Sequence, residues 1–222
     1  MSDCRKEKIN CPECGKEFEF TLWNSVNTVI NPEMKAKVRS GEIFRYVCPH
    51  CGSKVTISYP MLYHQMEDRV MIWFAPNDTV KAIEALQCTP ASMGEMFSDF
   101  VTQYRKRVVS SINDLREKLA ILDAGLDDCA IEFMKAFGRA QLEQELPGRE
   151  IQAFFFAVAK DGTQYFEVHL SGQEMRCLVF NREMYNGVVD RILPLLETDA
   201  PVVDFNWALR QIQRLGASEE ES

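Results

Sequence analysis

The chain has 222 residues, enough for one large or two small domains, and its 46% hydrophobic and 26% charged content is an ordinary globular balance that supports a packed core. Its formal net charge is −8, a field that repels phosphate backbones and anionic lipid, so neither nucleic acid nor a membrane is the expected partner. The opening MSDCRKEKIN lacks the apolar run of a secretory signal, and the most apolar stretch, Ile151 to Ala159, is far too short to span a bilayer, which predicts a soluble, cytoplasmic protein.

Residues 1–9 are polar and read as loose chain. Cys11-Pro-Glu-Cys-Gly15 is a compact turn followed by strand character from Lys16 to Leu22. Asn31-Pro32 opens a short helix, with Asn31 as the cap and Pro32 at the first helical position, and Gly41 stops it. Glu42 to Val47 reads as a strand running into a second turn, Cys48-Pro-His-Cys-Gly52. Lys54 to Tyr59 alternates and reads as another strand. Pro60 to Asp68 is expected as a loop, Arg69 to Phe74 as a strand, and Asp78 as the cap of a helix through Leu86. Ser92 to Val101 reads as a second short helix and Arg105 to Ser110 as a strand.

The clearest helical periodicity comes next. Ile112, Leu115, Leu119 and Leu122 share one face, and after Gly125 so do Leu126, Ala130, Phe133 and Phe137. Pro147-Gly148, within Glu145 to Arg149, marks a boundary. Beyond it, Ile151 to Ala159 and Thr163 to Leu170 flank Asp161-Gly162, a tight-hairpin signal, and Glu174 to Phe180 supplies a third strand. Two helices, Arg182 to Leu196 and Phe205 to Leu215, precede an acidic tail at 217–222.

The two C-P-x-C-G turns carry the chemistry. A two-residue gap lets both sulfurs of a turn reach one ion, and the trailing glycine relieves the backbone where it bends back. Two such turns supply four thiolates, Cys11, Cys14, Cys48 and Cys51, which suits the tetrahedral, soft-ligand preference of Zn²⁺. Four protein ligands leave no open position, so the expected site is structural. Redox chemistry is the competing reading, since C-P-x-C also occurs where a helix N-terminus lowers a thiol's pKa. Here strand-like residues follow each motif and no helix begins at either. An iron site is a smaller rival.

Other groups favour plain readings. Asp123, Asp127, Asp128 and Glu132 form the densest carboxylate group; a divalent-metal or acid–base site is one reading, but helix capping and a Glu132–Lys135 pair account for it more simply. His50, His64 and His169 lack a partner nucleophile in any recognisable motif. Cys129 and Cys177 read as small apolar side chains, Cys4 as a surface thiol, and Cys88 shows no pairing. Trp23, Tyr46, Tyr59, Tyr63, Trp73 and Phe74 read as a packing seam rather than a base-stacking surface. Arg105-Lys106-Arg107 reads as a solvated face.

The CPECG and CPHCG pair, Asn31-Pro32-Glu33 between them, the Tyr59-Pro60 step, and the later Ile112-Asn-Asp-Leu-Arg-Glu-Lys-Leu119 with Gly125-Leu-Asp-Asp128 resemble the CpXC-domain proteins over about residues 8–139. The resemblance implies a metal-holding domain of those limits and no particular reaction. The prediction is an α+β protein. A domain at 1–139 holds a Cys4 zinc ribbon (about 8–60) joined to a mixed strand and helix unit. A C-terminal unit at 145–216 is a three-stranded antiparallel meander with two helices. The expected role is non-enzymatic: one structural Zn²⁺ supports a surface for a protein partner or self-association. A nucleic-acid-linked ribbon and an enzyme with its site elsewhere are the alternatives.

Overall fold

The structure, a computed structural model, describes residues 2–87 and 103–220. Cys88 and the helix expected at Ser92 to Val101 lie outside the described residues. The chain divides into two compact units, Met1–Arg116 and Glu117–Ser222, and its mixture of helices and sheets is the expected α+β class.

The first unit is built on a mixed five-stranded sheet. Its strands are β1 (Asp3–Asn10), β2 (Glu17–Asn27), β5 (Met61–Gln65), β6 (Val70–Phe74) and β7 (Arg105–Val109), in the order β1-β2-β5-β6-β7. In β2 the alternation of EFEFTL sends Phe18, Phe20 and Leu22 to the buried face. Its neighbour β1 is the stretch expected to be loose. Strand order comes to it from pairing, because Lys6 meets Glu19 at 2.7 Å and Lys8 meets Glu17 at 2.8 Å across the ladder. Its charges also discourage another chain from joining that edge.

The stretch expected as a loop, Pro60 to Asp68, instead contains β5, which lies between β2 and β6 in the middle of the sheet. Met61, Tyr63 and Gln65 all point into the core. Gln65 tolerates burial because its carbonyl accepts from Tyr63 Oη at 2.7 Å and from Arg39 Nη2 at 3.1 Å.

Helix α1 (Glu33–Ser40) closes on Gly41, whose φ of +72° is the left-handed conformation of a helix stop. Asn31 does not cap it; its side-chain amide donates to Glu33 Oε1 instead, and Pro32 occupies the cap position. A single 3-10 turn, Glu42–Phe44, replaces the start of the expected strand. A short hairpin, β3 (Arg45–Val47) with β4 (Lys54–Thr56), follows. Helix α2 (Thr79–Gln87) starts as expected, with Asp78 Oδ1 accepting the Lys81 N–H at 3.0 Å.

The predicted aromatic seam lies in this unit: Phe18 stacks on Tyr46 at 3.7 Å and 8°, and Phe44 packs edge-on to Phe74. The first contact ties β2 to β3, and so holds the two hairpins against one another. Arg107 corrects the expectation of a solvated basic face, since it is buried in β7.

The second unit carries β8 (Ile151–Val158), β9 (Gln164–Leu170) and β10 (Glu174–Val179) as an antiparallel meander in the order β10-β9-β8. Gly162, at φ +86°, turns the first hairpin. Helix α3 (Ile112–Asp123) crosses the division between units, and α4 (Asp128–Glu145), α5 (Arg182–Arg191) and α6 (Phe205–Glu220) belong to the second. Helix α5 ends earlier than expected, before a 3-10 turn containing Pro194. Helix α6 continues through Glu220, so helix replaces much of the expected tail.

The units divide at Arg116/Glu117 rather than at the Pro147-Gly148 step. The reason is packing: Ala130, Phe133 and Leu142 of α4 share one core with Phe154, Phe166 and Trp207. An amphipathic helix belongs with whatever covers its apolar face, and here the meander and α6 do so.

Candidate metal centre

The two cysteine turns are near copies. In the first, Gly15 N–H donates to Cys11 C=O and Cys11 N–H to Lys16 C=O, both at 2.9 Å. In the second, Gly52 N–H donates to Cys48 C=O and Cys48 N–H to Ser53 C=O, again at 2.9 Å. Gly15 at φ +69° and Gly52 at φ +74° make each reversal possible without Cβ strain. The first turn joins β1 to β2 and the second joins β3 to β4, so each sits at the tip of a hairpin.

These tips bring all four sulfurs within 4.8 Å of one another. The Cys11–Cys51 and Cys14–Cys48 pairs, which run between turns, are each 3.8 Å apart. That is nearly twice a disulfide bond of about 2.05 Å, and none of the four is in a disulfide. Cys11 and Cys48 are buried, while Cys14 and Cys51 lie exposed. The cluster is suited to hold a metal ion.

Electrostatics point the same way. The Ser53 hydroxyl, with the Cys14 and Glu13 backbone N–H groups, draws the Cys11 thiol down to about 6. The Lys16 N–H favours the Cys14 thiolate, but desolvation and the neighbouring sulfurs outweigh it and push that thiol up to about 11. Four thiolates cannot share so small a space unaided, and a bound cation removes the conflict. Ser53 is a contributor that motif reading missed. Its hydroxyl lies 3.1 Å from Cys51 Sγ and 3.4 Å from Cys11 Sγ, bridging the turns. The first turn has Lys16 at the equivalent place, so comparing the residues after each glycine would have found it.

The acidic group divides. Asp127 caps α4, accepting from Cys129 N–H at 2.9 Å, and Asp123 is exposed. Asp128 and Glu132 are buried with three partners the sequence reading did not assemble, Glu117, Lys118 and Lys135. Lys118 lies 3.2 Å from Asp128 and 3.3 Å from Glu132. Lys135 lies 2.9 Å from Glu117 and 3.1 Å from Glu132, as expected for the latter pair. Lys118 falls between Leu115 and Leu122 in the helical period, which is the signal that it faces inward.

His50 is exposed at the tip of the second turn, and His169 pairs with Glu167 at 2.6 Å on the outer face of β9. His64 packs against the Tyr104 ring. Cys129 is buried as expected, but Cys177 is exposed, because the outer face of β10 is uncovered. An apolar groove of about 420 Å³ in the second unit is lined by Phe137, Met134, Leu178, Val179 and Met184 among others, and by none of the histidines or acids above. No helix among the described residues is long and apolar enough to cross a membrane.

Residues 9–135 match the model of a family described as CpXC protein. The chain is also similar to a protein of Treponema pallidum (strain Nichols) described as uncharacterized, with 23% identity over 172 residues that cover 72% of this chain and 75% of that one. No solved structure matches.

Proposed function

The chain belongs to the CpXC family, and from that premise we propose that it is a zinc-binding module that acts by assembling proteins rather than by catalysis. The observation that carries the metal is the sulfur spacing. A tetrahedron with metal–sulfur bonds of ~2.3 Å has edges of about 3.8 Å, and the two cross-turn pairs stand at 3.8 Å. Cys11, Cys14, Cys48 and Cys51 are the ligands in this reading. Four thiolates on Zn²⁺ carry a net charge of about −2, which the turn N–H groups and the Ser53 hydroxyl spread. The filled shell leaves no position for substrate, so the ion supplies shape. A structural zinc of this kind contributes ~10–16 kcal/mol in small peptides, comparable to the whole stability of a typical domain at ~5–15 kcal/mol.

The formal net charge of −8 opposes a phosphate backbone, which favours protein as partner. Metal analysis and thiol titration on protein purified without chelator test the site. About one zinc per chain and four thiols that react only after metal removal support it; no metal and a reducible disulfide overturn it. A substrate screen that finds turnover, alongside a partner capture that returns nothing, overturns the assembly role.

A further inference from the structure

The two edges of the second unit's sheet are treated differently. On β8 the outward Phe156 N–H donates to Glu117 Oε1 at 2.6 Å, and the Ile151 carbonyl accepts from Arg139 Nη2 at 3.1 Å. Side chains thus occupy two of the groups that another strand would use. On β10 nothing among the described residues does so. The Phe180 N–H donates to Gln164 of the β9 side at 3.2 Å, which fixes the phase of the ladder: even-numbered residues of β10 face β9. The N–H and C=O groups of Met175, Cys177 and Val179 therefore point out of the open edge. Their side chains share the outer face and are exposed, Val179 to 84% and Met175 to 56%.

We infer that the β10 edge pairs with the β10 edge of a second copy of this chain, antiparallel about a two-fold axis through Cys177, joining two meanders into one six-stranded sheet. The ladder phase and the side chains restrict the register. Only outward-facing residues can exchange hydrogen bonds, so the axis passes through a residue and not between two. An axis through Arg176 sets two guanidinium groups directly opposite, which is unfavourable. An axis through Met175 sets Val179 beyond the partner strand, and an axis through Leu178 does the same to Met175. An axis through Cys177 places Met175 opposite Val179 of the second copy, and the reverse, so that each copy covers the other's exposed apolar side chains. Such an interface is self-complementary and closed, which limits assembly to a dimer. It deepens the assembly reading by naming its surface and occupant, and rests on that reading.

Sedimentation velocity on the full, metal-loaded chain over a micromolar concentration series is the test. The expected result is a monomer–dimer equilibrium whose dissociation constant rises about tenfold or more in Val179→Lys, from two lost cross-strand contacts per dimer. Zinc content and circular dichroism should not change. Met175→Glu gives the same result independently if Val179→Lys folds poorly. A short bismaleimide should cross-link the wild type, and Cys177→Ser should abolish the product while Cys4→Ser does not. A wild type that stays monomeric throughout overturns the inference, and so does a dimer insensitive to both substitutions; either leaves assembly with other proteins standing. A complex with a different protein that Val179→Lys abolishes shows the edge in use by another occupant and overturns the second copy.

Discussion

Replacing Lys135 with methionine should destabilise the second unit severely without touching the cysteine cluster. The Lys135 ammonium lies 2.9 and 3.0 Å from the two Glu117 oxygens and 3.1 Å from Glu132 Oε1. The three side chains are 9%, 4% and 3% exposed, so water cannot replace the lost cation. Methionine keeps the volume but takes the cation from buried Glu117 and leaves Glu132 to Lys118 alone, a change that costs about 3–5 kcal/mol. For a unit of about a hundred residues, even 3 kcal/mol lowers the melting temperature by ~12–24 °C.

The pH dependence has a definite sign. Burial alone would lower the Lys135 pKa, but Glu117 and Glu132 more than offset it and hold it above the ordinary lysine value. The stabilisation is therefore fully present below that ordinary value and disappears as pH rises through the raised one. Lys135→Met should lack this alkaline limb. Urea unfolding followed by circular dichroism measures the cost, and amide exchange at Phe156, whose N–H is held by Glu117, localises it. Glu117→Gln in the same chain should recover part of the loss, since the stranded charge goes with it. A cost below ~1 kcal/mol, as for a surface pair, refutes the picture of a dry, interlocked network.

Three further outcomes are expected. Cys48→Ser should abolish stoichiometric metal and the near-ultraviolet signal of the packed aromatics beside the turns, read by metal analysis and circular dichroism, while the meander's amides keep their exchange protection. Gly41→Ala should cost about 1 kcal/mol in a denaturant titration from backbone strain at φ +72°, because the nearest atom to an added Cβ is 3.5 Å away and offers no clash. Glu67 is lowered below the ordinary glutamate value although burial opposes this, through the Thr28 hydroxyl and Lys35. Its stabilisation is therefore present above the ordinary value and lost as pH falls through the lowered one. Glu67→Gln should flatten that acid limb in a plot of unfolding midpoint against pH.

Local patterns were legible where residue type and geometry agree. The duplicated C-P-x-C-G signature marked the turns because a left-handed glycine and two sulfurs at fixed spacing have few other uses. Asp161-Gly162 marked the hairpin for a similar reason. What escaped depends on partners distant in the chain. Strand β1 has no apolar face and is ordered by cross-strand charge pairs with β2. Strand β5 hides behind His64 and Gln65, and its buried glutamine is satisfied by Arg39 from α1. The division at Arg116/Glu117 escaped because periodicity shows that α4 has an apolar face but not which element covers it. Glu117, Lys118 and Lys135 were invisible as a group because charged side chains are read as outward until opposite charges converge on them.

The placement of the cysteine pairs on separate hairpins also imposes an order in time. The chain is synthesised at ~5–20 residues per second, so Cys48 emerges some two to seven seconds after Cys14. A hairpin closes in about 1–10 μs. The first cysteine turn therefore waits for seconds as a two-thiol half-site that cannot fill a tetrahedral shell. During that interval Cys11 and Cys14 are open to oxidants or to borrowed ligands. In the proposed zinc reading, metal capture would report that both hairpins are complete, and the nascent chain is most vulnerable between its first cysteine turn and its second.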